Sequence, residues 1–485
     1  MTERAITAES LRRQLGSWRT AGVAGPVYRA LADGIALLVV DGRLPLEARI
    51  PSERALSAAL RVSRTTVTAA YAALREDGYL RGHQSARSTV ALPGAEVSAL
   101  TADRTPTAID LQSAATVAPG ATVLRAYQAA VAALPIHVRG SGHERLGIPV
   151  LRSRIAARFT RRGLPTTEGQ ILVTSGAQQA ISLLLNVLIE PGDRVLVEQP
   201  TYHGALEAIA VRGARPVPVP LHTHVPDPGW DLAGIEAAIR QTAPNLAYLV
   251  PDNHNPTGLT MSLARRQELA GIVTRTRTRL IVDETLVDTW WREPGPAPLA
   301  SLVSRSDLAI TVGSMAKSFW GGMRVGWIRA DETVVAGLLA ARSSMDTGTP
   351  IVEQLAAAEL LSWADEIEAE QREALRSRRS TLVRELGRSL PDWELLDADG
   401  GLCVWARLPT PSSTALAAAA ARLGCRIAPG PRFGVGGPLE RFVRIPFSLP
   451  EEELRAGVAL LARAWAAVTG AGAGVDPPAE IVMVG

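Results

Sequence analysis

Between about residues 109 and 468 the sequence alternates short apolar runs with longer stretches of helical periodicity, and no other feature limits the fold as much. The runs ILVTS (171–175), RVLVEQP (194–200), LAYLVP (246–251), RLIVDE (279–284) and LAITVG (308–313) are apolar almost throughout. A strand that is apolar on both faces has to be covered on both, and parallel strands need a crossover long enough to hold a helix. The pattern predicts an α/β fold with a mainly parallel sheet between helices. At 485 residues the chain has length for more than one core.

A different pattern precedes it. From Pro26, VYRALADGIALLVVDG places Val27, Leu31, Ile35 and Leu38 at helical spacing and stops at Asp41-Gly42. Two short helices are expected next, opened by Ser52 and Ser63 as N-caps. The first carries Leu56, Ala59 and Leu60; the second carries Val67, Ala70, Tyr71 and Leu74. Asp77-Gly78 closes the second, and Tyr79-Leu80 through Thr89-Val90 reads as a small hairpin. Helix, tight turn, helix and hairpin make an α+β winged helix-turn-helix over residues 26–91, with the second helix in the major groove and the wing on the DNA backbone. Ser63, Arg64, Thr65 and Thr66 open that helix, where Arg can pair bidentately with guanine and hydroxyls can take phosphate. Arg54 is a further candidate, as are Arg81, Gly82, His83 and Arg87 in the wing. Spacing alone does not separate such a helix pair from a plain packing unit. Residues 1–25 are expected to be a loosely docked start, 92–108 a linker and 469–485 a disordered tail.

Charge favours the nucleic-acid reading of this module. The formal net charge of +3 conceals 13 Arg against 8 Asp and Glu in residues 1–95. The remainder of the 51 basic and 48 acidic residues is close to balanced. A basic head on a near-neutral body suits DNA binding. No apolar run approaches the about 18 residues of a membrane span. The opening MTERAITAES has no apolar stretch of a signal peptide. Cys403 and Cys425 make neither a disulfide framework nor a zinc-ligand spacing. The expectation is a cytoplasmic protein with no metal and no membrane partner.

Five clusters in the second region suit the parts of a pyridoxal 5'-phosphate (PLP) site. Ser175-Gly176-Ala177 follows a strand and opens a helix, where backbone amides bind phosphate. Tyr202 lies past a strand end and can stack on a planar ring. Asn255, in a turn with Pro256, Thr257 and Gly258, can donate to a ring oxygen. Asp283 closes an apolar strand, and a carboxylate there can hold a pyridine nitrogen protonated. Ser314, Lys317 and Arg324 supply an amine and two phosphate ligands. Of the 51 basic residues only Lys317 is Lys, and guanidinium cannot attack a carbonyl as a free amine. Each cluster alone has an ordinary structural reading; the five in this order do not share one.

The run IPSERALSAALRVSRTTVTAAYAALREDGYL resembles the winged-helix domain of the GntR family of bacterial regulators. The five clusters resemble the class I and II aminotransferases, a PLP-dependent α/β fold, over about residues 110–468. Head, linker and body together resemble the MocR subfamily. That resemblance implies a Schiff base (an aldimine) at Lys317, Asp283 on the pyridine nitrogen, Asn255 on the ring hydroxyl and Tyr202 against the ring. It implies a phosphate cradle of Ser175, Gly176, Ala177, Ser314 and Arg324, and Arg444 in FVRIPFSLP gripping an effector carboxylate. It also implies a bacterial transcription regulator that binds double-stranded operator DNA, nucleoid-associated when bound. Its effector would be PLP itself, an amine or an amino acid. The assembly would be a head-to-tail domain-swapped homodimer, with each head near the other subunit's body. The alternative is an active aminotransferase that carries a DNA-binding head. Thr285 and Leu286 stand where the family has a tyrosine after the aspartate, and His143 where it has another near Gly147. Both changes weigh against efficient transamination.

Overall fold

The structure, a computed structural model, describes residues 5–16, 18, 26–40, 43–44, 48–82, 88–91, 108–116, 118–224, 226–292 and 294–470. The head is built from α1 (Ala8–Leu15), α2 (Val27–Val40), α3 (Glu53–Leu60), α4 (Arg64–Glu76) and the hairpin of β1 (Leu80–Arg81) and β2 (Thr89–Val90). Ser52 and Ser63 cap α3 and α4 as expected, each accepting from the backbone N–H three residues on at 3.2 and 3.1 Å. Leu31, Ile35, Leu56, Val67 and Leu74 close one core.

The expectation of a loose start is corrected over residues 5–16, while residues 1–4, 17 and 19–25 lie outside the described residues. Thr7 caps α1 by accepting from Ser10 N at 3.1 Å, and Leu11 is fully buried in the head's core. Ile6 N donates to the Arg49 carbonyl at 2.8 Å, tying the segment to the chain ahead of α3. Only Leu11 and Leu15 mark the inner face of this eight-residue helix, too few for periodicity to register.

The body begins with β3 (Ile109–Leu111), α5 (Gly120–Ala133) and α6 (Pro149–Arg161). The alternation then unrolls as β4 (Ile171–Thr174), α7 (Ala177–Leu188), β5 (Arg194–Gln199), α8 (His203–Val211), β6 (Arg215–His222), β7 (Gly229–Trp230), α9 (Leu232–Thr242), β8 (Leu246–Leu249), α10 (Leu263–Thr276), β9 (Arg279–Asp283), β10 (Ala309–Ser314) and β11 (Gly326–Arg329). These strands form one eight-stranded sheet in the order β4-β11-β10-β9-β8-β5-β6-β7, in which only β11 and β7 run against the rest. A core packs on each face: Val173, Leu196, Ala247 and Val282 point into one, and Leu172, Val195, Tyr248 and Ile281 into the other.

A second layer was not legible in the alternation. After α11 (Glu332–Arg342), α12 (Ile351–Ser362) and α13 (Ala364–Ser389) come β12 (Glu394–Leu395), β13 (Cys403–Arg407), α14 (Ser413–Arg422), β14 (Cys425–Pro429), β15 (Phe442–Pro446) and α15 (Glu451–Thr469). The four strands and β3 make a five-stranded, mostly antiparallel sheet in the order β12-β13-β15-β14-β3. It has its own core around Leu382, Ile445, Leu454 and Leu461. The chain thus enters this smaller domain, builds the large one and returns. Of the tail expected from 469, Thr469 still ends α15 and Gly470 caps it at φ 73°; residues 471–485, most of the linker and the wing residues His83 and Arg87 lie outside the described residues.

Within the chain the head rests on its own body rather than standing clear of it. α2 packs along α14, Leu37 joins the smaller domain's core, and Arg422 Nη1 meets Asp33 Oδ1 at 3.1 Å. Arg29 lies on the same carboxylate at 3.4 Å and on Asp77 at 2.9 Å. At α1's end, a Cβ on Gly16 would stand 3.0 Å from the Gly436 carbonyl oxygen, so the head's first helix abuts a glycine pair of the body.

Leu56 belongs to the head's own core and not to those of the body, so damage there falls first on the head. Leu56→Ala, at a fully buried head position, is expected to cost the head about 2–5 kcal/mol. Thermal unfolding should show an earlier first transition with the body's transition unmoved.

Candidate functional site

The strands β4, β5, β8, β9 and β10 end along one edge of the large sheet, the edge where open α/β sheets collect ligands. A cavity of about 330 Å³ lies there, closed on the other side by the smaller domain. Lys317, Asp283, Asn255, Tyr202, Ala177, Ser314, Arg324 and Arg444 all line it, though they are scattered along the sequence.

At the end of β4 the chain turns through Ser175 into α7. Gly176 holds φ 90°, and a Cβ there would come within 2.7 Å of Arg324 Nη2. A Cβ on Gly326 would strike the Gly176 carbonyl carbon at 2.7 Å. These two glycines let β11 and the start of α7 approach, so that Ala177 at the head of α7 lines the cavity together with Arg324. Arg324 donates to the Ser175 carbonyl at 3.2 Å. Ser175 and Gly176 stand behind Ala177 rather than on the cavity wall. Ser314, at the end of β10, accepts from Ala316 N at 3.1 Å and so turns the chain toward Lys317.

Lys317 donates its ammonium to the Ala114 carbonyl. Burial, and then the charge of Arg444, bring its pKa down to about 8. Asp283 is 4% exposed. It accepts from Tyr248 OH at 2.6 Å and from Thr285 N at 2.9 Å, and the Thr285 hydroxyl donates to it as well. Burial raises the Asp283 pKa, and the hydrogen bonds from Thr285 and Tyr248 oppose that rise. Thr285, found where a tyrosine was expected, therefore serves the carboxylate; Leu286 packs into the smaller domain's core.

Opposite, Arg444 on β15 donates to Asn255 Oδ1 at 3.0 Å and to the Gln112 carbonyl. Its Nε is buried with no partner, and its guanidinium lies 4.9 Å from the Phe433 ring centre. Tyr202 donates to Gln178 Oε1 at 3.1 Å at the start of α8. Sequence reasoning missed Tyr248, Gln178, His203 and Arg432. Tyr248 looks like one more core residue of a buried strand, and nothing local marks the other three. The burial of His203 and the charges of Arg432, Arg444 and Lys317 bring its pKa down to about 2. His143 is exposed and does not join this cavity.

The donor set fits PLP. A buried amine of lowered pKa, a buried carboxylate one strand away, a glycine-built helix start beside an arginine, and an unpartnered guanidinium nitrogen are the groups its aldehyde, ring nitrogen, phosphate and a bound carboxylate require. In the head, Arg54, Arg64, Arg81 and Gly82 are exposed, with Arg64 at 72%. The Ser63 hydroxyl bonds those of Thr65 and Thr66 at 2.8 Å, so these three order the helix start while Arg64 projects from it. Among the described residues no helix is long and apolar enough to cross a membrane.

The amine sets a pH test. A lysine with its pKa near 8 is half deprotonated there, well below the ordinary value. The rate at which the PLP-free chain takes up PLP should rise with pH and level off above about 8; a rise continuing past 10 would contradict the burial of Lys317.

Residues 115–461 match the family Aminotransferase class I and II, and residues 27–90 match Bacterial regulatory proteins, gntR family. The uncharacterized HTH-type transcriptional regulator YdcR of Escherichia coli (strain K12) is 28% identical over 446 residues, covering 86% of this chain and 94% of its own. The probable rhizopine catabolism regulatory protein MocR of Rhizobium meliloti is 27% identical over 419 residues, 79% and 82% of the two chains. The crystal structure of LysN, an alpha-aminoadipate aminotransferase from Thermus thermophilus, is similar with a TM-score of 0.68 at 25% identity, covering 76% of this chain and 94% of that one. With a GntR-type head on a PLP-type cavity, the chain belongs to the aminotransferase class I and II family and joins that fold to a DNA-binding regulatory domain, as MocR-type regulators do.

Proposed function

We propose that this protein is a PLP-dependent transcription regulator whose body senses PLP, an amine or an amino acid and passes that state to the DNA-binding head. One observation carries the reading. A single segment of the smaller domain, residues 413–437, both walls the cavity and holds the head: α14 carries Arg422 against Asp33, the turn after β14 brings Arg432 to the cavity, and Gly436-Gly437 abuts Gly16. A ligand that moves the turn pulls on both head contacts, so binding energy can bias head orientation.

PLP supplies, when bound, an aldehyde carbon that an incoming amine can take over from Lys317 and a ring that withdraws electrons. Asp283 would hold the proton at the ring nitrogen, with Tyr248 and Thr285 fixing its orientation. Asn255 would face the ring hydroxyl and Tyr202 the ring. The start of α7 at Gly176 and Ala177, with Ser314 and Arg324, would take the phosphate, and Ser175, whose amide donates to Gln179 Oε1, would hold that turn in place. Arg444 would turn its unpartnered Nε to a carboxylate. In the head, Arg64 would read a base edge while Arg54, Arg81, Gly82 and the hydroxyls of Ser63, Thr65 and Thr66 approach phosphates. The working form is a cytoplasmic homodimer. Exposed Leu124, Val131, Ile136 and Val138 on α5 and the turn after it support association, and His143 lies just beyond them on the same exposed stretch. An active aminotransferase with a DNA-binding head is the second reading, favoured by the intact Lys317 and Asp283 pair.

Titrating the chain onto the DNA upstream of its own gene, by fluorescence anisotropy with and without PLP, tests the proposal. Specific binding that PLP alters supports it; no specific binding there or at neighbouring promoters, with steady turnover of amino acids and 2-oxo acids, favours the enzyme. Arg64→Ala should weaken specific binding by about 1–3 kcal/mol. Arg422→Ala should keep DNA binding and lose its response to PLP, because the charge that anchors Asp33 from the body is gone.

A further inference from the structure

Asp283 and Lys317 come from different strand ends, those of β9 and β10, yet one short segment of chain reaches both. From residue 283 to 288 the backbone is stapled into a turn. Val287 N donates to the Glu284 carbonyl at 3.1 Å, and Asn253 Nδ2 donates to the Leu286 carbonyl at 2.7 Å. The Thr289 hydroxyl donates to that same carbonyl at 2.7 Å. The segment begins with the carboxylate suited to a pyridine nitrogen. It ends with a second carboxylate, Asp288, which does not line the cavity.

Asp288 acts on the turn that carries the amine. Ser318, the residue after Lys317, is 3% exposed, and its hydroxyl donates to Asp288 Oδ2 at 2.9 Å. The other carboxylate oxygen accepts from Arg158 Nη2 of α6. The same guanidinium nitrogen donates to Glu368 Oε1 of α13 at 2.7 Å. All three charged side chains are largely buried, Asp288 being the most open at 16% exposure. Charges held out of water in this way keep their geometry, because breaking a bond between them leaves a charge half-paired. A separate contact holds Lys317 itself: the Thr116 hydroxyl donates to its carbonyl at 3.2 Å.

We propose that Asp288 is a positioning residue for the amine: through Ser318 it holds the turn that carries Lys317 in a set relation to Asp283, with Arg158 as its anchor. The aldehyde and the ring nitrogen of PLP lie across one rigid ring, so amine and carboxylate must keep one spacing to serve both. Neither Ser318 nor Asp288 lines the cavity, so their effect reaches a ligand only through Lys317. Without the Ser318 link the turn loosens and water reaches the amine. The burial that lowers the Lys317 pKa then weakens. This role requires the PLP site and is independent of whether the head responds to it.

The test compares PLP uptake across pH, followed by PLP absorbance, in the PLP-free full-length chain and its variants. Ser318→Ala removes the hydroxyl and leaves Arg158, Asp288 and Glu368 in place. It also spares Arg444, Cys403, Asp283 and Arg324, the groups whose charges reach Lys317. It should bind PLP about tenfold more weakly, the loss of one hydrogen bond to a charge. The midpoint of its uptake against pH should rise above about 8, toward the ordinary lysine value. Ser318→Thr keeps a hydroxyl and should restore both. Adding Ser318→Ala to Asp288→Ala should weaken PLP binding no further than Asp288→Ala does alone. Thermal unfolding of each PLP-free variant checks that it folds. A midpoint unmoved by Ser318→Ala would overturn the role, whatever happens to affinity or to thermal stability, as would additive losses in the double variant. A parent chain that takes up no PLP would overturn the site and this role with it.

Discussion

A strand covered on both faces can offer chemistry only beyond its ends, and the body is organised around that constraint. β4, β5, β8, β9 and β10 are covered by a core on each side, so only the residues at their ends can touch a ligand. What they can do is hold Ser175, Tyr202, Asn255, Asp283 and Lys317 at or just past their carboxyl ends. Helices on both faces keep these ends in register, and the smaller domain closes the opening. Burial does the remaining work on the groups so placed. It brings Lys317 down toward neutrality and pushes the Asp283 carboxyl up, and Tyr248 and Thr285 are recruited to stabilise the carboxylate against that push.

The head depends on the same body through a narrow set of contacts. α2 meets α14 along an apolar strip containing Leu37, and one buried carboxylate, Asp33, is shared between Arg29 of the head and Arg422 of the body. Burial raises the pKa of Asp33, with the two arginines opposing that rise. A carboxylate removed from water and held from both sides is costly to leave half-paired, so the contact favours one docked arrangement over a continuum. The segment that supplies Arg422 continues through β14 to Arg432 and Phe433 at the cavity. Ligand site and head are therefore joined by a short piece of chain rather than by a diffuse path.

Much of this was legible residue by residue. The capping serines Ser52 and Ser63, the hairpin at Leu80 and Val90, and five strands of the large sheet follow from local rules of capping and periodicity, which act within a few residues. The chemistry of Lys317 was legible because it has no substitute in a chain otherwise built with arginine. α1 was missed because two apolar residues do not make a period. The smaller sheet was missed because β3 and β12 are too short to carry a pattern, and its strands come from both ends of the body. Tyr248 and Arg432 were missed because nothing local distinguishes a tyrosine that supports a carboxylate, or an arginine that faces a cavity, from an ordinary one.

The sequence by itself thus determined the element types, the two-part plan and the reactive amine, since propensity, capping and side-chain chemistry are properties of the residues and their near neighbours. Only the tertiary structure decided which groups meet. It set Thr285 on Asp283, Asn255 on Arg444, Arg432 beside His203 and Asp33 against Arg422, pairs separated by 2, 189, 229 and 389 positions along the chain. All but the first are brought together by the packing of one domain on another. Such contacts depend on where whole elements come to rest, which no local pattern encodes.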